Sequence, residues 1–195
     1  FQLMRLWIIQ LAAVVTLSLL ALATVAPLQA STDPELRRML KQAIESDSGF
    51  EDRFDAQVWL LDMSRRLEMF IKEPKSRIEL LKLIHYEARR VGIEPELVLA
   101  VIEVESRFDE FAISVSGARG LMQVMPFWLN EIGISDQNLF KIRTNLRMGC
   151  TILRYYMDME PHDLGRALAR YNGSLGKTIY PNKVINALHT NWFKQ

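Results

Sequence analysis

PELVLAVIEVESRFDEFAISVSGARGLMQVMP, residues 95–126, decides the fold and isolates one acid within it. Its first half reads as a helix, its middle as a short polar loop, and its end as a second helix marked by glycines. At about 100° per residue, Leu97, Val98, Val101, Ile102 and Val104 cluster on one side of a helical wheel. Glu105 falls near the centre of that side and Glu103 points the opposite way. Glu103 is therefore expected in solvent and Glu105 against the apolar interior. A carboxylate on an apolar face must be paired, neutralised or used. Two readings follow for Glu105. It is salt-bridged to an arginine inside a helical bundle, or desolvation raises its pKa so that it keeps a proton near neutral pH and can donate it.

Downstream, Gly117 and Gly120 permit close approach of another backbone or a ligand, and Gln123 offers an amide donor and acceptor. As a set, four ordered segments resemble the soluble lytic transglycosylases of the goose-lysozyme superfamily. They are Glu105-Ser106 at a helix end, Gly117 to Gln123 (GARGLMQ), an Asn-x-x-x-Gly helix at Asn145 to Gly149, and Tyr171-Asn172 within ALARYNGSLG. Together they cover roughly residues 80–190. The chain departs from many relatives at Arg170, where they carry alanine directly before the tyrosine.

The whole chain has 195 residues, room for one domain plus a leader or appendage. Its 24 basic and 23 acidic side chains nearly balance, so the generic basic footprint of a nucleic-acid binder is absent. Arg5, an apolar run from Leu6 to Val25, and Pro27-Leu28-Gln29-Ala30 before polar Ser31 describe a secretory leader. The run is also long enough to span a bilayer. Residues 1–30 are thus expected to be a signal peptide cut near Ala30 or a retained membrane anchor, with attachment through residues 6–25 as the alternative. Phe1 is not Met, so the start of translation can lie upstream. Cys150 is the lone cysteine, expected mid-helix as a small buried hydrophobe. No intramolecular disulfide can form, which suits the periplasm or envelope of a bacterium better than a disulfide-stapled secreted domain.

Periodicity places helices throughout and no strand, so the fold class is all-α with short loops. Asp33-Pro34 opens a helix running to Ser46. A second runs from about Asp52 to Lys72, with Phe54, Val58, Leu61, Leu67, Phe70 and Ile71 inward. These helices, in residues 31–75, lie outside the resemblance and read as an accessory or packing layer. Helices then follow at Ser76–Val91, from Pro95 to about Arg107, after Pro126, at Thr144–Asp158, at Leu164–Tyr171 capped by Asp163, and from Pro181 to about Trp192. Residues 76–195 form the catalytic domain, which the resemblance makes lysozyme-like.

His85, His162 and His189 fall in separate elements without metal spacing, and no phosphate-cradling glycine loop occurs, so cofactor-free and metal-free chemistry is expected. Breaking a glycosidic bond needs a proton delivered to the leaving oxygen. Glu105 is the nominated acid. Asp109 and Glu110 lack apolar framing as a second carboxylate.

The resemblance accounts for the missing partner. Lytic transglycosylases use one glutamate as acid and then as base, and leave 1,6-anhydro-N-acetylmuramic acid ends on peptidoglycan. It further implies that Gln123 and Asn172 hydrogen-bond the glycan, that Tyr171 orients the acetamido group, that Met122 walls a sugar subsite, and that Ser114 makes a polar contact across the cleft. Ser106 more naturally holds the helix end. Two other readings stay open: a hydrolysing muramidase, and a glycan-binding or assembly protein of the same fold without activity. Peptidoglycan strands are the expected partner in each.

Overall fold

Helix punctuation sets the frame of the molecule. In this computed structural model, residues 54–134 and 138–193 are described. Helix α1 covers Phe54–Leu67, α2 Pro74–Arg90, α3 Pro95–Ser106, α4 Phe127–Glu131, α5 Ile142–Met159, α6 Leu164–Tyr171 and α7 Ile179–Ala187. A π-helical turn, Leu188–Trp192, continues α7. The leader, the helix expected at 33–46 and the turn at Ser135-Asp136 lie outside the described residues.

Each boundary has a local cause. Glu73 caps α2 by accepting from the backbone N–H groups of Lys75 and Ser76, and Pro74 occupies the first helical position. Gly92, at φ +66°, ends α2. Its N–H donates to Arg89 O at 3.0 Å and that of Ile93 to Ala88 O at 2.9 Å. This is a Schellman closure, which turns the chain into α3 within a few residues. Asp163 caps α6 through the Arg166 N–H at 2.8 Å. The last helix starts at Ile179, two residues before the Pro181 expected to open it, because proline is tolerated throughout a first turn.

Helix α3 is the centre of the bundle. Leu97 through Ile102 are all buried, so the helix is covered on every side along this length. One hydrophobic cluster joins α3 to Leu81 and Ile84 of α2, Leu146 and Leu153 of α5, Leu168 of α6, Val184 of α7 and Trp192. Helix α1 adds Trp59, Leu60, Met63 and Leu67 to the same cluster. Leu61, expected inward, is 60 % exposed. The true stripe is offset from it because 59, 60, 63 and 67 share a face. Arg66 carries α1 across to the far end of the chain, donating to Asn191 O at 3.1 Å and Phe193 O at 3.2 Å.

The described residues contain no named strand; the only pairing among them is two isolated bridges, Ile113 with Arg119 and Arg119 with Val124. The described residues are all-α, as the periodicity predicts. Among the described residues no helix is long and apolar enough to cross a membrane.

Behind α3 lies a buried ionic cluster. Glu87 of α2, with no exposed surface, accepts from Arg147 Nε at 2.9 Å and Arg90 Nε at 2.7 Å. Arg90 also donates to Thr151 Oγ1 at 2.8 Å, tying α2 to α5.

Candidate active site

The exit from α3 determines where Glu105 can point. Ser106 Oγ donates its one hydrogen to Leu121 O at 2.9 Å, with Ile102 O at 3.2 Å as the alternative acceptor, fastening the returning loop to the helix end. Arg107 and Phe108 then adopt left-handed backbone, with φ of 52° and 67°. For bulky residues this costs about 1–3 kcal/mol each. It persists here because the Phe108 ring is buried against Phe70, at 4.8 Å between centroids, and Trp192, at 5.6 Å. The chain reverses directly after the acid, and residues 109–126 fold back beside it.

Glu105 is half-buried and forms no ion pair with a described residue, so the arginine salt bridge is not its fate. The Tyr180 hydroxyl donates to Oε1 at 2.6 Å, and the Asn172 side chain lies close enough to favour the carboxylate. Burial raises its pKa to about 7, with Tyr180 and Asn172 pulling it back down. A protonated carboxyl is therefore abundant near neutrality. Burial and the nearby carboxylate hold the Tyr171 and Tyr180 phenols well above their ordinary range, so both stay neutral donors.

The glycine segment is clamped to α5. Asn145, buried in that helix, accepts from Met122 N at 2.8 Å and donates to Arg119 O at 2.8 Å and Leu139 O at 2.9 Å. A Cβ on Gly120 would lie 2.4 Å from Asn145 Nδ2, and one on Gly149 would lie 2.5 Å from Met122 Sδ. Both glycines exist to let the segment and the helix touch. Met122 therefore fills the notch above Gly149, with its side chain fully buried and its sulfur 3.9 Å from Cys150 Sγ. This corrects the sugar wall expected of Met122, whose outward contribution is its carbonyl, accepting from Tyr171 OH at 2.7 Å.

Gln123 spends both amide hydrogens on backbone, donating to Ala112 O at 3.1 Å and Gly120 O at 3.0 Å. Its Oε1 remains as an acceptor. Ser114 Oγ accepts from Ala118 N at 3.0 Å and pairs with Ser116 Oγ at 3.0 Å, closing the loop tip. Glu105, Tyr171 and Asn172 are thus gathered together, and Gln123 and Ser114 are built into the adjoining loop.

Two placements escaped the sequence reading. Glu103, expected in solvent, accepts from both Asn191 Nδ2, at 2.9 Å, and Trp192 Nε1, at 2.7 Å. Tyr180, which directly touches the acid, carries no motif; its only signal is a tyrosine in the first turn of an amphipathic helix next to Pro181. The C-terminal segment therefore holds both glutamates near the end of α3, Glu103 through Asn191 and Trp192 and Glu105 through Tyr180.

An all-α domain whose central helix ends in a half-buried glutamate, with no described cation beside it, fits a lysozyme-like fold. The sequence model described as Transglycosylase SLT domain matches residues 82–189, more than half the chain, and the protein belongs to this family. Shorter stretches resemble curated proteins. The chain is 52 % identical over 46 residues to a membrane-bound lytic murein transglycosylase C of Actinobacillus pleuropneumoniae, covering 24 % of the chain and 13 % of that relative. It is 46 % identical over 63 residues to the protein of the same name from Mannheimia succiniciproducens, covering 32 % of the chain and 16 % of the relative. It is 38 % identical over 71 residues to a membrane-bound lytic murein transglycosylase F of Desulfosudis oleivorans, covering 36 % and 15 %. The matches thus span 13–16 % of the length of these relatives.

Proposed function

We propose that the protein is a peptidoglycan lytic transglycosylase that cleaves the β-1,4 bond between N-acetylmuramic acid and N-acetylglucosamine without water. The observation that carries this reading is Glu105, uncompensated by any described cation and raised to about 7, inside the region matched by the SLT family. Glu105 protonates the leaving oxygen as the C1–O bond breaks. The muramic N-acetyl oxygen bonds to C1 and bears the developing charge. Glu105, now a carboxylate, takes the proton of the C6 hydroxyl, whose oxygen displaces the acetamido oxygen and closes the 1,6-anhydro ring. The acid is regenerated and no water is consumed.

Tyr180 is assigned to positioning and proton balance: its hydrogen bond favours the carboxylate and so sets how readily Glu105 gives up its proton. Asn172 and the Gln123 Oε1 are assigned to the glycan's polar groups, Tyr171 to orienting the acetamido group beside Glu105, and Ser114 to shaping the loop. The leader at residues 6–25 is assigned to export or membrane attachment, placing the enzyme in the bacterial envelope. The names of the relatives, membrane-bound murein enzymes, support that location.

The test is a mass spectrum of soluble products from purified protein incubated with peptidoglycan sacculi, beside a Glu105→Gln control. Anhydromuropeptides that vanish in the control are the expected result. Products with reducing ends would instead mean a hydrolysing muramidase. Sacculus binding without any product would mean a glycan-binding protein.

A further inference from the structure

The loop between Asp109 and Gly120 presents a second surface that the reaction at Glu105 leaves unused. Residues that pair across a bridge project to the same side. Ile113 pairs with Arg119, and Phe111 joins them through the Phe140 ring. Phe111 is 66 % exposed and Ile113 65 %. The Phe111 ring lies 6.1 Å from that of Phe140, and the Arg119 guanidinium carbon sits 5.8 Å from the Phe140 centroid. Arg119 has no acidic partner among the described residues, so its hydrogen-bond donors are open to solvent.

This ledge is pinned to the site. Gln123 Nε2 holds the carbonyl of Ala112, between Phe111 and Ile113, and Asn145 Nδ2 holds that of Arg119. Exposed apolar side chains kept in one place beside an unpaired guanidinium suit a ligand that is partly aliphatic and carries a carboxylate, which the guanidinium fork can grip with two parallel bonds.

We propose that Phe111, Ile113, Phe140 and Arg119 receive the acidic peptide stem borne by the muramic residues of the strand, with a stem carboxylate on Arg119. The proposal rests on the peptidoglycan reading above, since that polymer carries an acidic peptide next to each bond cut. Charge complementarity to Arg119 calls for an anionic ligand, and continuity with the Gln123 loop selects the stem over a membrane surface.

The experiment compares kcat/KM of wild type and Arg119→Gln on intact glycan strands and on the same strands stripped of stems by an amidase. The expected result is a loss of about 5- to 10-fold on stem-bearing strands, the size of one exposed charge-assisted contact, carried in KM. Stem-free strands should be cut equally by both proteins. Equal losses on both substrates, or no loss on either, would overturn the proposal. So would an Arg119-dependent binding to phosphatidylglycerol vesicles with stem-independent cleavage. If wild type cuts neither substrate, the reading of the function fails separately, and titration with the free stem tetrapeptide decides the ledge. Binding weakened by Arg119→Gln supports it, and binding that ignores the substitution overturns it. Phe140→Leu, which removes the ring under the guanidinium and keeps an apolar side chain, should give a smaller loss in the same direction.

Discussion

Glu87 and Glu105 both lie on interior faces of neighbouring helices, yet they occupy opposite electrostatic worlds. Glu87 has lost all contact with water and sits between the guanidinium groups of Arg147 and Arg90. Glu105 keeps a partial opening and meets only neutral donors, Tyr180 and Asn172. The salt bridge that helical periodicity offers as one explanation of an inward glutamate does occur in this bundle, but at Glu87. Burial alone therefore does not keep a carboxyl protonated. The absence of a compensating cation matters as much, because only then does desolvation favour the protonated form.

Exchanging glutamine for each acid breaks the comparison most sharply. Glu105→Gln should cut the rate of strand cleavage by about 10²–10⁴-fold, the range of a general acid, with the melting temperature held or raised. Glu87→Gln should do the reverse. It removes the carboxylate from between buried Arg147 and half-buried Arg90 and should cost about 3–5 kcal/mol in denaturant unfolding, while the protein that remains folded keeps its specific activity. If Glu87→Gln were fully stable yet inactive, the two roles would have been assigned the wrong way round.

A smaller effect comes from pH. Glu105 holds its proton up to about 7 in the fold, against 4.5 for the ordinary group, so the folded protein binds more protons between those values. Stability should fall as pH rises through that window, by on the order of 3 kcal/mol before solvent screening at this half-buried site reduces it, and Glu105→Gln should flatten that dependence. Activity that needs the protonated acid should decline as pH rises through about 7. Denaturant unfolding at several pH values, with kcat/KM alongside, measures both.

Tyr180→Phe gives the smallest change and sharpens the picture. Removing a donor that favours the carboxylate should move the alkaline limb of the pH–rate profile above 7, with a roughly tenfold lower rate. An unmoved limb would show that Tyr180 has no part in setting the acid.

The sequence carried the parts of this site that depend on local pattern. Glu105 at the end of an apolar helix, the glycines of GARGLMQ and the Asn145–Gly149 spacing are close in the chain, and each reports a neighbour it must touch. Tyr180 was not legible, because it reaches Glu105 from 75 residues away. Glu103 failed for the same reason. A helical wheel registers only the apolar side of its own helix, whereas Asn191 and Trp192 arrive from 88 and 89 residues downstream. Met122 was misplaced because the emptiness of Gly149 opposite it makes a core pocket out of what reads as a surface motif.

Helix α1 shows that the inherited unit and the folding unit need not share a border. The family match begins at residue 82, but Trp59, Leu60, Met63 and Leu67 lie ahead of it and belong to the core that holds Trp192. Burying four such side chains is worth about 1.5–3 kcal/mol apiece. That sum rivals the entire stability of a typical domain, about 5–15 kcal/mol. Recombination that shuffled this protein at its homology boundary would carry off every recognised motif and leave behind the helix that keeps them assembled.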